Sequence, residues 1–224
     1  MDIAQLHYIS QAPATGSHLD AITDVLKAGC KWIQLRVKDE PEDIVLQLAV
    51  QANSLCERYG ANLIVNDYPY TALGSAAFGV HLGLDDMPVP AARIILGRDR
   101  CIGGTANTFD DILRRVEEGA DYIGLGPFRF TTTKKNLSPV LGIEGYHRLM
   151  QQVSHAGITI PVIAIGGITI ADIAAILQTG VHGIAVSGLL TNDGDLPSQL
   201  LSIKQEIDLH AKKKDYANDC RQSI

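Results

Sequence analysis

The chain reads as a single (β/α)8 TIM barrel, an α/β fold, and three observations carry that expectation. Eight short runs rich in β-branched and apolar residues recur along 224 residues, amphipathic stretches with helix punctuation separate them, and no composition break divides the series. The runs lack a clean polar alternation, which fits strands covered on both faces and favours a closed barrel over a doubly wound sheet. An open sheet would use the same order of elements and stays the alternative.

The expected strands are residues 6–10, 32–37, 62–67, 79–83, 101–106, 122–127, 161–167 and 183–188. Ser17 with Asp20, Thr108 with Asp111, and Thr169 with Asp172 have capping-box spacing, in which a hydroxyl and a carboxylate satisfy free N–H groups of a first helical turn. Pro41 is expected in a first turn, and Gly29, Gly60, Gly119, Gly157 and Gly180 as stops. The third and fourth helices should be short. Residues 1–210 make the barrel domain in this reading, and residues 211–224 a polar tail that frays.

Composition narrows the partners. A net charge of -6 disfavours a nucleic-acid binder, which needs a basic face, and no apolar window reaches the length of a membrane span. The start of the chain carries no secretory signal pattern, so a cytoplasmic protein acting on small molecules is expected, with a homo-oligomer left open. Cys30, Cys56, Cys101 and Cys220 have neither metal-site nor disulfide spacing, and the first three are expected to be buried thiols.

The active site of such a barrel forms at the C-terminal ends of its strands, and polar residues crowd there. Period-two alternation sends Gln34, Arg36 and Lys38 to one side of the second strand and Leu35 and Val37 to the other. An arginine fork and a lysine point charge suit a diphosphate, although both cations would equally suit barrel carboxylates. Asn66-Asp67 ends the third strand, and Asp86 follows the fourth. Asp67 and Asp86 match the demand of magnesium for one or two carboxylates plus water and phosphate oxygens, or else serve as helix caps or partners of Arg36. Asp85 is read as a cap, and His81 as a core histidine rather than a substrate contact. Thr131-Thr132-Thr133-Lys134 follows the sixth strand with hydroxyls and an ammonium, either a phosphate cluster or a solvated loop with a helix cap. The Gly166-Gly167 and Val186-Ser187 turns after the last two strands match the phosphate site of barrels.

As an ordered set, these residues resemble the thiamine phosphate synthase family. The likeness is carried by Gln34-Leu35-Arg36-x-Lys38, Asn66-Asp67, His81-Leu82-Gly83-x-x-Asp86, Gly103-Gly104-Thr105, Gly124-x-Gly126-Pro127, Thr131-x-Thr133-Lys134, Gly142, Gly166-Gly167-Ile168 and Ser187. The resemblance implies that a pyrimidine diphosphate and a thiazole phosphate, carboxylated or not, join to give thiamine monophosphate and pyrophosphate with Mg²⁺, by a dissociative step. It gives Gln34, Leu35, Arg36, Val37, Lys38, Asn66, Thr105 and Lys134 to the pyrimidine diphosphate, and Asp67 and Asp86 to the metal. Thr131, Thr132, Thr133, Gly167, Val186 and Ser187 go to the thiazole phosphate, while Arg36, Lys38 and Lys134 stabilise the departing charge.

This chain departs from the family pattern at Leu84, where members often carry Gln, at Thr105 and Asn107, where Ser and His are common, and at Phe128-Arg129-Phe130 before the Thr-rich run. Two other functions fit the same pattern in part: a thiazole tautomerase on the same barrel, and a non-catalytic sensor of thiamine phosphate. Retention of Arg36, Lys38, Asp67, Asp86 and Lys134 disfavours the tautomerase, and a sensor has little need of paired carboxylates. Residues 131–139 are expected to act as a lid.

Overall fold

A computed structural model describes residues 1–131, 138–191 and 195–222, the side chains of the last helix being described up to residue 211. Eight parallel strands close on themselves in sequence order: β1 (Leu6–Ile9), β2 (Trp32–Leu35), β3 (Asn62–Asn66), β4 (Gly79–Leu82), β5 (Cys101–Ala106), β6 (Tyr122–Leu125), β7 (Val162–Ile165) and β8 (Gly183–Val186). Closure is made by β1 against β8, with Leu6 opposite Ile184 and Tyr8 opposite Val186. The barrel, not the open sheet, is therefore the fold. Most strands stop one or two residues short of the sequence expectation, because the backbone leaves the ladder at the rim and turns toward the next helix.

The helices are α1 (His18–Lys27), α2 (Glu42–Arg58), α3 (Pro69–Gly74), α4 (Val89–Leu96), α5 (Phe109–Glu117), α6 (Gly142–His155), α7 (Ile173–Gln178), α8 (Gly188–Thr191) and α9 (Leu196–Gln222). All three expected capping boxes form, the third on the short 3₁₀ turn Ile170–Asp172 that leads into α7. The third and fourth helices are indeed short, with 6 and 8 residues. Pro41 stands one position earlier than expected, at the N-cap of α2, where a proline has no N–H to leave unsatisfied. The backbone of α9 continues as helix to Gln222, through the stretch expected to fray. Among the described residues no helix is long and apolar enough to cross a membrane.

Two apolar layers result from the period of two along each strand. Outward positions such as Ile33, Leu35, Val37, Val65 and Val186 pack under the helices. Inward positions Trp32, Ile64, Cys101, Tyr122, Ile163 and Ala185 fill the barrel. His7 stacks on Trp32 with ring centroids 4.5 Å apart, and burial pushes its pKa down to about 3, so this imidazole is neutral filling. Cys30, Cys56 and Cys101 are buried free thiols, and burial pushes Cys56 up to about 12.

The inward rows change character one step up each strand. Above Trp32 stands Gln34, above Ile64 stands Asn66, above Gly79 stands His81, and above Gly103 stands Thr105. The filled floor is apolar and aromatic, and the mouth is polar. Space for the floor is made by absent side chains: a Cβ on Gly103 would lie 2.1 Å from the Tyr122 ring, and one on Gly124 would lie 2.9 Å from the His81 ring. Gly103→Ala is expected to destabilise the protein by about 1–3 kcal/mol through overpacking around Tyr122. Urea unfolding checks this, and an unchanged midpoint would show that the ring has room to move.

Candidate active site at the C-terminal rim

Each strand end adds a polar group to one connected rim. Gln34, 3% exposed, donates from Nε2 to Oδ1 of Asn66 at 2.7 Å, joining the ends of β2 and β3. One residue beyond β3 the backbone of Asp67 turns left-handed, with φ 71, and its N–H is held by the His81 carbonyl at 2.9 Å. That conformation is uncommon outside glycine, although aspartate is among the types that tolerate it, and it re-aims the carboxylate away from the ladder.

Asp67 and Asp86 then meet side by side. The Lys38 ammonium is ion-paired with Asp67 Oδ2, and Asp86 Oδ2 accepts the Gly83 N–H at 2.5 Å. Burial pushes both carboxyls upward. In Asp67, the hydrogen bond to Asp86 and the nearby Lys38 outweigh burial and leave it below the ordinary range. In Asp86, burial, the shared hydrogen bond and the Asp67 charge act together and raise it to about 6. Lys38 offsets one of the two negative charges that the pair can carry. Arg36 is half-buried and electrostatically coupled to Asp67; desolvation lowers its pKa and the Asp67 charge partly restores it.

The remaining contacts are hydrogen bonds across neighbouring strand ends. Ser10 Oγ accepts the Arg36 backbone N–H at 3.1 Å and meets His18 Nδ1 at 2.9 Å. Burial and then the charge of Arg36 lower the pKa of His18. Ser187 donates to Gln11 Oε1 at 3.3 Å, next in sequence to Ser10. His81 bridges Tyr122 and Thr105, with 3.0 Å on each side, so it is a core histidine that orients the Thr105 hydroxyl. Behind this point Arg115, 2% exposed, donates to the Thr105 carbonyl at 3.1 Å and the Gly83 carbonyl at 2.7 Å, with Glu118 at 2.7 Å as its counterion. Asn107 donates from Nδ2 to the carbonyls of Gly126 and Pro139, each at 2.9 Å.

The structure brings Gln34, Arg36, Lys38, Asn66, Asp67, Asp86 and Thr105 together, linked through Ser10, Gln11 and Ser187 to the end of β8. Leu35, Val37 and Val186 belong to the outer apolar layer, so only their backbones are available to a ligand. Asp85 does not cap the next helix: the N-cap of α4 is Pro88, with no side-chain cap. Gly167 lies in the turn after β7 with φ 65. Thr131 is half-buried at the edge of the described chain, while Thr132, Thr133, Lys134 and most of the expected lid lie outside the described residues. Ser10, His18, Arg115 and Asn107 were not assigned site roles from sequence. Ser10 carried the one usable signal, a polar residue at a strand end.

Known proteins match this chain along most of its length. The family model described as Thiamine monophosphate synthase covers residues 6–190. The thiamine-phosphate synthase of Phocaeicola vulgatus is 50% identical over 191 residues, 85% of this chain and 92% of the relative. That of Flavobacterium johnsoniae is 49% identical over 191 residues, 85% of this chain and 90% of the relative. Among solved structures, a thiamine phosphate pyrophosphorylase from Pyrococcus furiosus superposes with a TM-score of 0.78 at 28% identity, covering 92% of this chain and 96% of that one.

The raised Asp86 carboxyl fixes the sign of one stability effect. Because folding favours its protonated form, the Asp86 contribution to stability is present below the ordinary carboxylate range and is lost as pH rises through about 6. Asp86→Asn in metal-free buffer is therefore expected to stabilise the protein at about pH 8 by on the order of 1 kcal/mol, kept small by solvent screening of a half-exposed group, with no gain below about pH 4. Urea unfolding with a chelator at both pH values measures this. A variant less stable than wild type at the higher pH would mean that the two carboxylates do not repel.

Proposed function

The chain belongs to the thiamine monophosphate synthase family and is a transferase of thiamine biosynthesis, and we propose that the rim around Asp67 and Asp86 is where it joins the two halves of the product. The substrates are small molecules: a hydroxymethylpyrimidine diphosphate and a thiazole phosphate, with thiamine monophosphate and pyrophosphate as products. The observation that carries this assignment is the Asp67–Asp86 pair at adjacent strand ends, with Lys38 ion-paired to Asp67 and the Arg36 charge acting on Asp67.

Two adjacent carboxylates at the rim fit a hard divalent cation. Among the described residues no group of three or more His, Cys, Asp or Glu side chains is disposed to hold a metal, so its other ligands would be waters and diphosphate oxygens, the usual habit of Mg²⁺. Asp67 and Asp86 would hold it. Magnesium, when bound, neutralises charge on the diphosphate.

The protein's own groups do the rest by charge stabilisation. The methylene carbon–oxygen bond to the diphosphate breaks, its electron pair leaves with pyrophosphate, and the thiazole nitrogen donates its lone pair to the resulting pyrimidine methylene cation. No side-chain nucleophile takes part. Arg36, Lys38 and Lys134 stabilise the departing diphosphate, and Gln34, Asn66 and the Thr105 hydroxyl, oriented by His81, hold the pyrimidine end. The backbones of Leu35 and Val37 complete that side. Thr131, Thr132, Thr133, Gly167 and the Val186-Ser187 turn receive the thiazole phosphate through hydroxyls and backbone N–H groups. The cytoplasm, where both phosphorylated substrates would be retained, is the compartment proposed.

Pyrophosphate release is expected only when both substrates and Mg²⁺ are present together. Binding of both without release would instead identify a sensor. Lys134→Ala should lower kcat by about 10²–10³, the loss typical of one preorganised charge donor. Near-wild-type turnover by the folded variant would remove Lys134 from the mechanism.

A further inference from the structure

We propose that Arg129 is a positioning residue for the thiazole-phosphate subsite, holding the Gly166-Gly167 turn so that its backbone N–H groups face the bound anion. The inference rests on the assignment of that turn to the thiazole phosphate. Arg129 lies between β6 and the Thr131–Lys134 run, in a segment where this chain departs from the pattern of its family.

Both carbonyls of the turn are engaged by this one residue. The Arg129 backbone N–H donates to the Gly166 carbonyl at 2.9 Å, and its Nη1 donates to the Gly167 carbonyl at 2.7 Å. In a trans peptide the C=O and N–H point in opposite directions. Fixing the Gly166 carbonyl therefore turns the Gly167 N–H away from Arg129, and fixing the Gly167 carbonyl does the same for the Ile168 N–H. The two donors end on the face opposite the arginine.

The turn needs such a restraint. Gly166 and Gly167 both have positive φ, 102 and 65, and adjacent glycines have the widest backbone freedom of any pair. Side chains could not replace the arginine from within the turn: a Cβ on Gly166 would stand 2.6 Å from Pro127 Cβ, and one on Gly167 would stand 3.0 Å from Arg129 Cβ. The guanidinium is itself fixed by a two-pronged bond to Asp172, Nη1 to Oδ2 at 2.8 Å and Nη2 to Oδ1 at 2.9 Å, and it lies 5.2 Å from the centre of the Phe128 ring. Asp172 in turn completes the capping box of the 3₁₀ turn after β7, its Oδ2 accepting the Thr169 N–H at 2.9 Å. Arg129 thus joins the β6 loop, the β7 turn and the following helical turn through one planar group.

An exposed ion pair with no further role contributes little, so its loss should leave each substrate's binding unchanged. A positioning role predicts a different pattern in steady-state pyrophosphate release. Arg129→Ala is expected to raise KM for the thiazole phosphate about tenfold, while kcat and KM for the pyrimidine diphosphate stay within about twofold. Arg129→Lys should recover only a minor part, because a point charge does not span a carbonyl and both carboxylate oxygens. The thermal midpoint of both variants should fall by no more than a few degrees, leaving both folded at the assay temperature and separating misplacement from unfolding. An unchanged thiazole KM, equal rises in both KM values, or full recovery by lysine would each overturn the inference. Failure of the wild-type protein to release pyrophosphate would overturn the functional assignment first, and this inference with it.

Discussion

Two like charges held side by side, Asp67 and Asp86, are the constraint on which the rest of the site depends. Burial first, and then the neighbouring Asp67, raise the proton affinity of Asp86. Lys38 bonds to one member of the pair, the Gly83 N–H to the other, and Arg36 adds a further positive charge. A carboxylate pair flanked by two cationic groups is the preorganisation that the proposed chemistry, which develops charge on a leaving group, would use.

The barrel makes this arrangement possible by stacking unlike layers along the same strands. Its floor is an apolar and aromatic set packed around Trp32, Tyr122 and His7. One inward step higher, Gln34, Asn66, His81 and Thr105 bond to one another or to the floor. Beyond the last ladder bonds come the charges. Each polar group is therefore backed by a rigid strand, and His81 connects the two regimes by bonding Tyr122 below and Thr105 beside it. Arg115 ties the ends of β4 and β5 from the outside in the same way that Arg129 ties β6 to β7, each guanidinium bonding to backbone carbonyls at the loop bases.

Much of this was legible in the sequence, because it follows from periodicity. Eight apolar runs gave the barrel, and alternation along residues 34–38 correctly put Leu35 and Val37 on the opposite side from Gln34 and Arg36. The pairing of Asp67 with Asp86 followed from adjacent strand ends. Contacts made across elements to backbone carbonyls were not legible, since neither partner has a distinguishing side-chain pattern: Arg115 reaches Gly83 over 32 positions, and Asn107 reaches Pro139 over 32. Arg129 showed in the sequence only as a departure from the family pattern. Asp85 misled because a carboxylate ahead of a helix resembles a cap, whereas the intervening Pro88 takes the N-cap position.

Metal binding to the carboxylate pair tests the account most directly. Electron paramagnetic resonance of Mn²⁺ titrated into the protein with inorganic pyrophosphate should reveal one saturable site that needs pyrophosphate for tight binding and disappears in Asp67→Asn. Equal Mn²⁺ binding by the variant, or binding indifferent to pyrophosphate, would contradict the claim that Asp67 and Asp86 serve a metal shared with the leaving group.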